Sequence, residues 1–342
     1  MVKKQKKVLV TGASGYLALH CISELLDNGF FVRGSLRDIK KEREVRLALG
    51  NKIKGDNFEV CKLNLLDDIG WDKSTSNCDY LMHIASPCIV KEPKDEKEII
   101  DPAVKGTLRA LKAAHKSSVK KVILTSSIGS IVFGHNKKIC DPSDWTDISV
   151  PVGAYIKSKT LAEKAAWNYV DNLKDNSFKM TSIHPGMVFG PVLSNQINST
   201  SANLIIKMIK GEFPALPNIY FSVVDVRDVA KLHVESLTNS KSDFKRIITS
   251  SSKAISFFEI SKILRKIGHK KTTLKKVPDQ IIKLLAIFNK DMRTSKYMIK
   301  RGNFSLDLNQ TSEIYNWEPT PFFKTMVAVS YTHLRAHETS NH

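Results

Sequence analysis

The first half of the chain alternates short apolar runs with longer amphipathic stretches. The apolar runs predict strands at Lys7–Thr11, Phe30–Leu36, Phe58–Leu63, Tyr80–Ile84, Lys121–Ser126 and Lys179–His184. The stretches between them predict helices at Tyr16–Asp27, Lys40–Leu49, Glu98–Lys116 and Ala154–Leu173, long enough for right-handed crossovers. This alternation predicts an α/β protein with a doubly wound parallel sheet.

The pattern changes after Pro191. Residues Ser194–Pro217 surround one amphipathic helix, Tyr220–Leu237 reads as a strand and helix that return to the first domain, and Ser256–Arg301 is helical and lysine-rich. We therefore predict a first domain of residues 1–190 plus about 220–240, and a smaller discontinuous C-terminal substrate lobe of about 191–219 and 241–329. Residues 330–342 lack periodicity, and we interpret them as a disordered tail or extraneous sequence.

The composition is that of a soluble globular protein. The 342 residues are 42% hydrophobic and 25% charged, and no apolar run approaches the roughly 18 residues needed to span a bilayer. The basic N-terminus runs straight into a strand and has no apolar secretory segment, so a cytoplasmic location is expected. Five cysteines without a C-x-x-C pair favour reduced thiols over disulfides or a metal site.

The net charge of +19 raises the question of nucleic-acid binding. Only 11 of the 53 basic residues are arginines, and the lysines are spread along the chain without interleaved aromatic residues. Dispersed lysine is typical of a solvated surface. We therefore expect a small-molecule substrate, no nucleic-acid or membrane partner, and a monomer or homodimer.

The stretch TGASGYLA, Thr11 to Ala18, follows the first predicted strand directly. Gly12 permits a tight turn, Gly15 lets the backbone approach a diphosphate, and the following helix aims its free N–H groups at that site. Ala18 stands where a third glycine is usual, but the position requires only a small side chain for packing. The stretch predicts a dinucleotide site on a Rossmann-type fold.

The end of the second strand decides which dinucleotide is favoured. An acid about 20 residues after the glycines would bind the ribose of NADH. Here the strand ends at Arg37, with Lys40 and Lys41 behind it, and positive charge suits the 2′-phosphate of NADPH. Asp38 follows directly and weakens this argument, because an acid there would favour NADH. The basic residues could also form only an exposed loop. We favour NADPH.

Tyr155 and Lys159 are the candidate catalytic pair. They are four residues apart at the start of a predicted helix and so share one face. A free tyrosine has a pKa near 10 and becomes a useful acid or base at neutral pH when a cation stabilises its phenolate. Ser126 and Ser127 follow a predicted strand, where a serine hydroxyl could orient a substrate carbonyl.

Eight motifs in order carry a resemblance to a known family. They read T-G-A-S-G-Y, R-G-S-L-R-D, H-I-A-S-P, D-P-A-V-K-G-T, T-S-S-I-G, Y-x-x-S-K-T-L-A-E, H-P-G-x-V-F-G-P and V-D-V-R-D-V-A, and they lie between Lys7 and Phe323. The sequence resembles the extended short-chain dehydrogenase/reductase family, in its branch of dihydroflavonol reductases, cinnamoyl-CoA reductases and microbial aldehyde and ketone reductases. The resemblance implies an NADPH-dependent oxidoreductase that reduces a carbonyl to an alcohol.

The resemblance also implies roles for individual residues. Tyr155 would be the general acid/base, Lys159 would lower its pKa and hold the nicotinamide ribose, and Ser127, with Ser126 as the alternative, would orient the carbonyl. Asn64 stands where the family has an aspartate beside the adenine. The implied cofactor contacts are Gly12, Ser14, Gly15, Tyr16, Leu17, Arg37, Asn64, Leu65, Ile84, Ala85, Ser86, Tyr155, Lys159, Pro185, Gly186 and Val188.

Other residues receive a less specific interpretation. We expect His83 and His184 to be structural, and Asp225 and Asp228 to cap or brace the helix after them. Cys88, Ser130–Asp144 and Met187–Asn203 should face the substrate. The alternative functions are an NAD-dependent sugar-nucleotide epimerase or dehydratase, a 3β-hydroxysteroid dehydrogenase-type enzyme, and a non-catalytic NADP-sensing protein.

Overall fold

A computed structural model describes residues 5–87, 92–173, 178–193, 199–288 and 290–338, with only the backbone for residues 288, 290–294 and 331–338. The strands are β1 (Lys7–Val10), β2 (Phe31–Leu36), β3 (Phe58–Lys62), β4 (Tyr80–His83), β5 (Lys121–Thr125), β6 (Ile139–Cys140), β7 (Lys179–Pro185), β8 (Met187–Phe189), β9 (Tyr220–Phe221), β10 (Val223–Asp225), β11 (Lys245–Thr249), β12 (Ile255–Ser256) and β13 (Ser305–Leu306).

The helices are α1 (Tyr16–Asp27), α2 (Glu42–Leu49), α3 (Trp71–Thr75), α4 (Lys97–Lys116), α5 (Ala154–Asp171), α6 (Thr200–Lys210), α7 (Val226–Ser236), α8 (Phe257–Lys266), α9 (Asp279–Phe288), α10 (Lys290–Arg301), α11 (Asn309–Tyr315) and α12 (Phe322–Glu338). Short 3₁₀ turns lie at Ile39–Lys41, Gly50–Lys52, Ile128–Ser130 and Ser240–Ser242.

Seven strands form one sheet in the order β3-β2-β1-β4-β5-β7-β11, and every neighbouring pair is parallel. The carboxyl ends of all seven strands therefore lie at one edge. The six predicted strands and four predicted helices are present with bounds shifted by no more than a few residues. The prediction of a doubly wound, Rossmann-type parallel sheet is confirmed.

The seventh strand corrects one predicted boundary. The sequence predicts that residues from about 241 onward belong to the C-terminal lobe. Lys245–Thr249 instead pairs with Thr181–Pro185 and extends the main sheet. Its apolar pattern is short, because Lys245 and Arg246 precede only two isoleucines, Ile247 and Ile248. Helix α11 joins it, with Thr311 Oγ1 donating to the Ile248 carbonyl at 2.8 Å.

The C-terminal elements have an apolar core of their own. It contains side chains from β8, α6, α8, α9 and α12, including Phe189, Ile205, Phe257, Ile260 and Met326. Helix α12 runs to Glu338, so the predicted disordered tail is helical over residues 330–338; this stretch has no proline or glycine to stop the helix that begins at Phe322. Residues 339–342 lie outside the described residues.

Within the described ranges, no helix is both long enough and apolar enough to cross a membrane.

Candidate active site

The expected site residues gather at the carboxyl edge of the main sheet. Thr11 follows β1, Arg37 follows β2, Ile84 follows β4, Ser126 follows β5, and Gly186 follows β7. Because these five strands are parallel neighbours, the residues that follow them lie along one edge. Open parallel sheets bind their ligands at this edge.

The glycine turn, residues Thr11–Gly15, leaves room for a ligand because its side chains are small. Gly12 has φ +73°, and a Cβ there would lie 3.1 Å from the Ala85 Cβ, so a larger residue would be strained and crowded. The Gly15 N–H donates to the Gly12 carbonyl at 2.8 Å. Helix α1 then begins at Tyr16 with no side-chain cap and no acid in its first turn. Its first amides are therefore suited to an anion such as a diphosphate.

Thr11 fastens this turn to the end of β4. The backbone amides of Ile84 and Ala85 both donate to Thr11 Oγ1 at 3.0 Å. The Thr11 hydroxyl lies 3.0 Å from His83 Nδ1 and donates to it. Burial, together with the charge of Lys159, lowers the pKa of His83 to about 3, so its ring is neutral and can accept this bond. His83 thus has the expected structural role.

Arg37 and Asp38, which follow β2 and bear on the choice of cofactor, differ in their surroundings. Arg37 is exposed at the end of β2. Asp38, the acid that could favour NADH, accepts a hydrogen bond from the Lys40 amide at 3.0 Å and caps the following 3₁₀ turn. A carboxylate that is bound to its own turn competes less for a ribose hydroxyl.

Asn64 also shapes its own loop. Its Oδ1 accepts from the Leu66 amide at 3.1 Å. Leu65 packs on α4 at Gly106, where a Cβ would lie 2.8 Å from the leucine Cδ2. A neutral amide can form the same turn as an aspartate, which accounts for the departure from the family pattern at this position.

Lys159 is anchored at the end of β5. It is 7% exposed, and its Nζ donates to the Thr125 carbonyl at 3.1 Å. The Thr125 hydroxyl lies 2.8 Å from His233 Nε2, and His233 Nδ1 donates to the Val229 carbonyl at 2.8 Å. Burial lowers the pKa of His233 to about 4 and keeps it neutral. This chain of contacts fixes the ammonium relative to the sheet.

The two adjacent serines have different surroundings. The Ser126 side chain is buried and donates to Glu163 Oε2 at 2.6 Å. Ser127 is half-buried, and its Oγ accepts from the Gly129 amide at 3.0 Å, which leaves its hydroxyl proton to donate elsewhere. The 3₁₀ turn that follows packs on α5, since a Cβ at Gly129 would lie 3.6 Å from the Ile156 Cγ1. Ser127 therefore lies beside the first turn of α5, which carries Tyr155.

Glu163 is a residue whose role the sequence analysis missed. It is 1% exposed and accepts from Ser126 and Ser130 at 2.6 Å, from Arg246 Nε and His184 Nε2 at 2.7 Å, and from Ser182 at 3.1 Å. Burial acts to raise its pKa, but His184 and Arg246 outweigh it and hold the pKa well below its usual range. The available signal was spacing: positions 155, 159 and 163 share one face of α5.

Arg246 extends this network to the far edge of the sheet. It lies on β11, donates to the Pro142 and Asp144 carbonyls at 2.6 Å each, and stacks 3.8 Å from the centre of the Trp145 ring. We name the end of β5, the 3₁₀ turn Ile128–Ser130 and the first two turns of α5 the catalytic corner. Glu163 and Arg246 brace it through their hydrogen bonds.

The remaining expected contacts lie at the same edge. A Cβ at Gly186 would lie 2.6 Å from the Ser222 carbonyl oxygen, so only glycine fits there. Burial raises the pKa of Tyr16 above its usual range, with Asp225 nearby. Asp225 caps α7 and Asp228 accepts from Thr320 at 2.7 Å, so both have the expected bracing roles. Cys88 lies outside the described residues, as do residues 194–198 of the expected substrate segment.

A small cavity lies between the end of β4 and the catalytic corner. Its lining includes Ala85, Ser86, Thr125, Lys159 and Glu163. The cofactor contacts expected at the end of β4 and the expected catalytic lysine therefore face the same space. Within the described ranges, no cluster of three or more His, Cys, Asp or Glu side chains could hold a metal ion.

Comparison with known proteins places these features in a family. The sequence profile described as the NAD dependent epimerase/dehydratase family matches residues 8–248. A cinnamoyl-CoA reductase from Medicago truncatula is 35% identical over 270 residues, covering 76% of this chain and 80% of that protein. The relatives are named reductases and oxidoreductases, which confirms the predicted oxidoreductase class.

Solved structures show the same fold. A yeast methylglyoxal/isovaleraldehyde reductase complexed with NADPH has a TM-score of 0.80 at 24% identity, over 97% of this chain and 99% of that one. A Candida albicans relative, also an NADPH complex, has a TM-score of 0.79 at 25% identity over the same shares. The chain belongs to the NAD dependent epimerase/dehydratase family, the extended branch of the short-chain dehydrogenases and reductases.

Proposed function

We propose that the protein is an NADPH-dependent reductase that converts an aldehyde, a ketone or a dihydroflavonol-like compound to an alcohol, with Tyr155 as the proton donor. The main support is the catalytic corner, where Ser127 presents a free hydroxyl beside the helix of Tyr155 and the Thr125 carbonyl fixes Lys159. The relatives that share about a third of their residues with the chain are reductases, which favours reduction over epimerisation.

The glycine turn and Arg37 fit NADPH. The glycine turn has the space and the free amides for a diphosphate, and Arg37 offers an exposed guanidinium for a 2′-phosphate. We propose that the cofactor is held by Gly12, Ser14, Gly15, Tyr16, Leu17, Arg37, Asn64, Leu65, Ile84, Ala85, Ser86, Tyr155, Lys159, Pro185, Gly186 and Val188. When bound, NADPH supplies the hydride that reduces the carbonyl carbon.

The chain supplies the proton and the orientation. Ser127 donates a hydrogen bond to the carbonyl oxygen and so holds the carbonyl in place. The Tyr155 hydroxyl gives its proton to that oxygen as negative charge develops there. The Lys159 ammonium then stabilises the tyrosine phenolate, which is reprotonated from solvent before the next turnover. The Thr125 carbonyl holds Lys159 without neutralising it, because a carbonyl carries no net charge.

The substrate is proposed only as a class. Tyr155 follows Ser127 by 28 positions, which is a shorter spacing than we expect of the plant flavonoid and lignin enzymes. Within the proposed class we therefore favour a simple aldehyde, ketone or keto ester.

A substrate panel tests this function. NADPH oxidation is measured with aldehydes, ketones, dihydroflavonols and CoA thioesters, with NADH and with sugar nucleotides in parallel. We expect net NADPH consumption with at least one carbonyl compound. Turnover of a sugar nucleotide without net cofactor change would replace the proposal by an epimerase, and NADPH binding without any turnover would favour a sensor.

A further inference from the structure

The C-terminal lobe exposes an apolar helix face that the proposed catalysis does not use. Helix α9 buries Ile282 in the core of the lobe and also buries Ala286. Ile281, Leu284 and Leu285 are 47%, 59% and 45% exposed, and their i, i+3, i+4 spacing places them on one different face. A helix with one apolar face buried and a second one exposed has a surface to offer a partner.

The charge around this helix is concentrated and of one sign. Residues 262–301 contain 13 lysines and arginines and two acidic residues, so this segment carries eleven of the net positive charges in a chain of +19. Ten of the thirteen are lysines. Lysine is spread along the whole chain, but it is densest in this segment.

These charges are not neutralised within the described part of the lobe. No described lysine of this segment forms an ion pair with a carboxylate, whereas many lysines of the first domain do so. Lys262 and Lys276 both lie over the ring of Phe258, at 4.8 and 4.4 Å from its centre, so two like charges share one ring. The segment is therefore suited to an external source of negative charge.

We propose that α9 and its basic surroundings dock the enzyme on an anionic lipid bilayer. Leucine and isoleucine side chains would enter the headgroup boundary while the lysines attract the lipid phosphates and carboxylates. A second copy of the chain fits less well, because it would bring eleven further net positive charges against the same surface. The absence of a spanning helix led us to expect no membrane partner, but a helix that lies on a bilayer needs no span.

Co-sedimentation with lipid vesicles tests the docking. The full chain is mixed with vesicles of phosphatidylcholine alone or with about 30% phosphatidylserine, at low and high salt. We expect binding only to the anionic vesicles, weakened by salt. The double variant Leu284→Gln, Leu285→Gln should reduce the partition coefficient by about tenfold or more. Leu47→Gln on α2, which changes a leucine that is even more exposed, should leave the partition coefficient unchanged.

Two further measurements test whether the apolar face is independent of catalysis and folding, and whether the lysines contribute to binding. Carbonyl reduction and the unfolding midpoint should be the same in wild type and in the Leu284, Leu285 double variant, since neither leucine is buried and neither belongs to the catalytic corner. Lys270→Gln with Lys271→Gln should weaken binding severalfold without touching the apolar face.

Several results would overturn the docking. Equal binding to neutral and anionic vesicles, or no binding to either, would do so. Retention of wild-type binding by the leucine variant would do so as well. A raised KM for the carbonyl substrate in that variant would assign the face to the substrate, and loss of a dimer would assign it to a second copy.

Discussion

The glycine turn and the catalytic corner lie at the same edge of the main sheet but are built in different ways. The turn is made of backbone and small residues, and Gly12 at φ +73° beside Ala85 fixes its shape. The corner is held by buried charge, with Glu163 accepting hydrogen bonds from residues of β7, β11 and the β5 loop. The diphosphate turn is therefore built from one short stretch of chain, whereas the proposed chemistry depends on side chains brought together from distant elements.

The largest effect is expected from Tyr155→Phe. The variant keeps the ring but loses the proton, so kcat should fall by about 10²- to 10⁴-fold. The affinity for NADPH, measured by fluorescence titration, should change by less than about threefold because the glycine turn is untouched. Unchanged turnover would remove Tyr155 from the mechanism, and lost NADPH affinity would show that turn and corner are not separable.

Glu163→Gln should lower the free energy of unfolding, because Glu163 holds the catalytic corner together. It leaves the Arg246 guanidinium, which is only 11% exposed, without its charge partner at a buried position, which costs about 3–5 kcal/mol in the free energy of unfolding. Glu96→Gln is the matched control, since Glu96 pairs with Lys157 at 2.7 Å on the surface and should cost less than about 1 kcal/mol. Urea unfolding measures both; equal losses would contradict a buried brace.

Arg37→Ser should affect only the binding of NADPH. Loss of the guanidinium should raise the KM for NADPH about tenfold and leave the KM for NADH and the kcat with saturating NADPH nearly unchanged. Lys54→Ser, at the opposite edge of the sheet before β3, is the control. A variant that still prefers NADPH as strongly as the wild type would mean that another residue selects the phosphate.

The smallest effect is a pH dependence of stability from His233. Its pKa is about 4 in the fold and about 6.5 when unfolded. Between these values the unfolded chain binds more protons, so the free energy of unfolding should fall as pH falls, by up to about 1.4 kcal/mol per pH unit. His233→Gln should flatten the slope measured by urea unfolding between pH 7 and pH 5. The same slope in both proteins would contradict a buried neutral histidine.

The same contrast explains what the sequence could predict. The glycine turn and the helix that carries Tyr155 and Lys159 were predictable because each is encoded within a few neighbouring residues. The roles of Glu163 and Arg246 were not, because their partners are up to 116 residues apart in the sequence. Strand β11 was not predicted because Lys245 and Arg246 occupy its first two positions and leave an apolar pattern of only two isoleucines.

Substitution of the two adjacent serines tests most directly whether Ser127 contacts the substrate while Ser126 only supports the corner. Ser127→Ala and Ser126→Ala are compared by kcat with NADPH and a carbonyl substrate, and by urea unfolding. Ser127→Ala should lose about 10²-fold in kcat with little change in stability, because its hydroxyl is proposed to hold the substrate. Ser126→Ala should lose about 1–3 kcal/mol in stability and keep kcat within about threefold, because its hydroxyl serves Glu163. The reverse pattern would contradict the account.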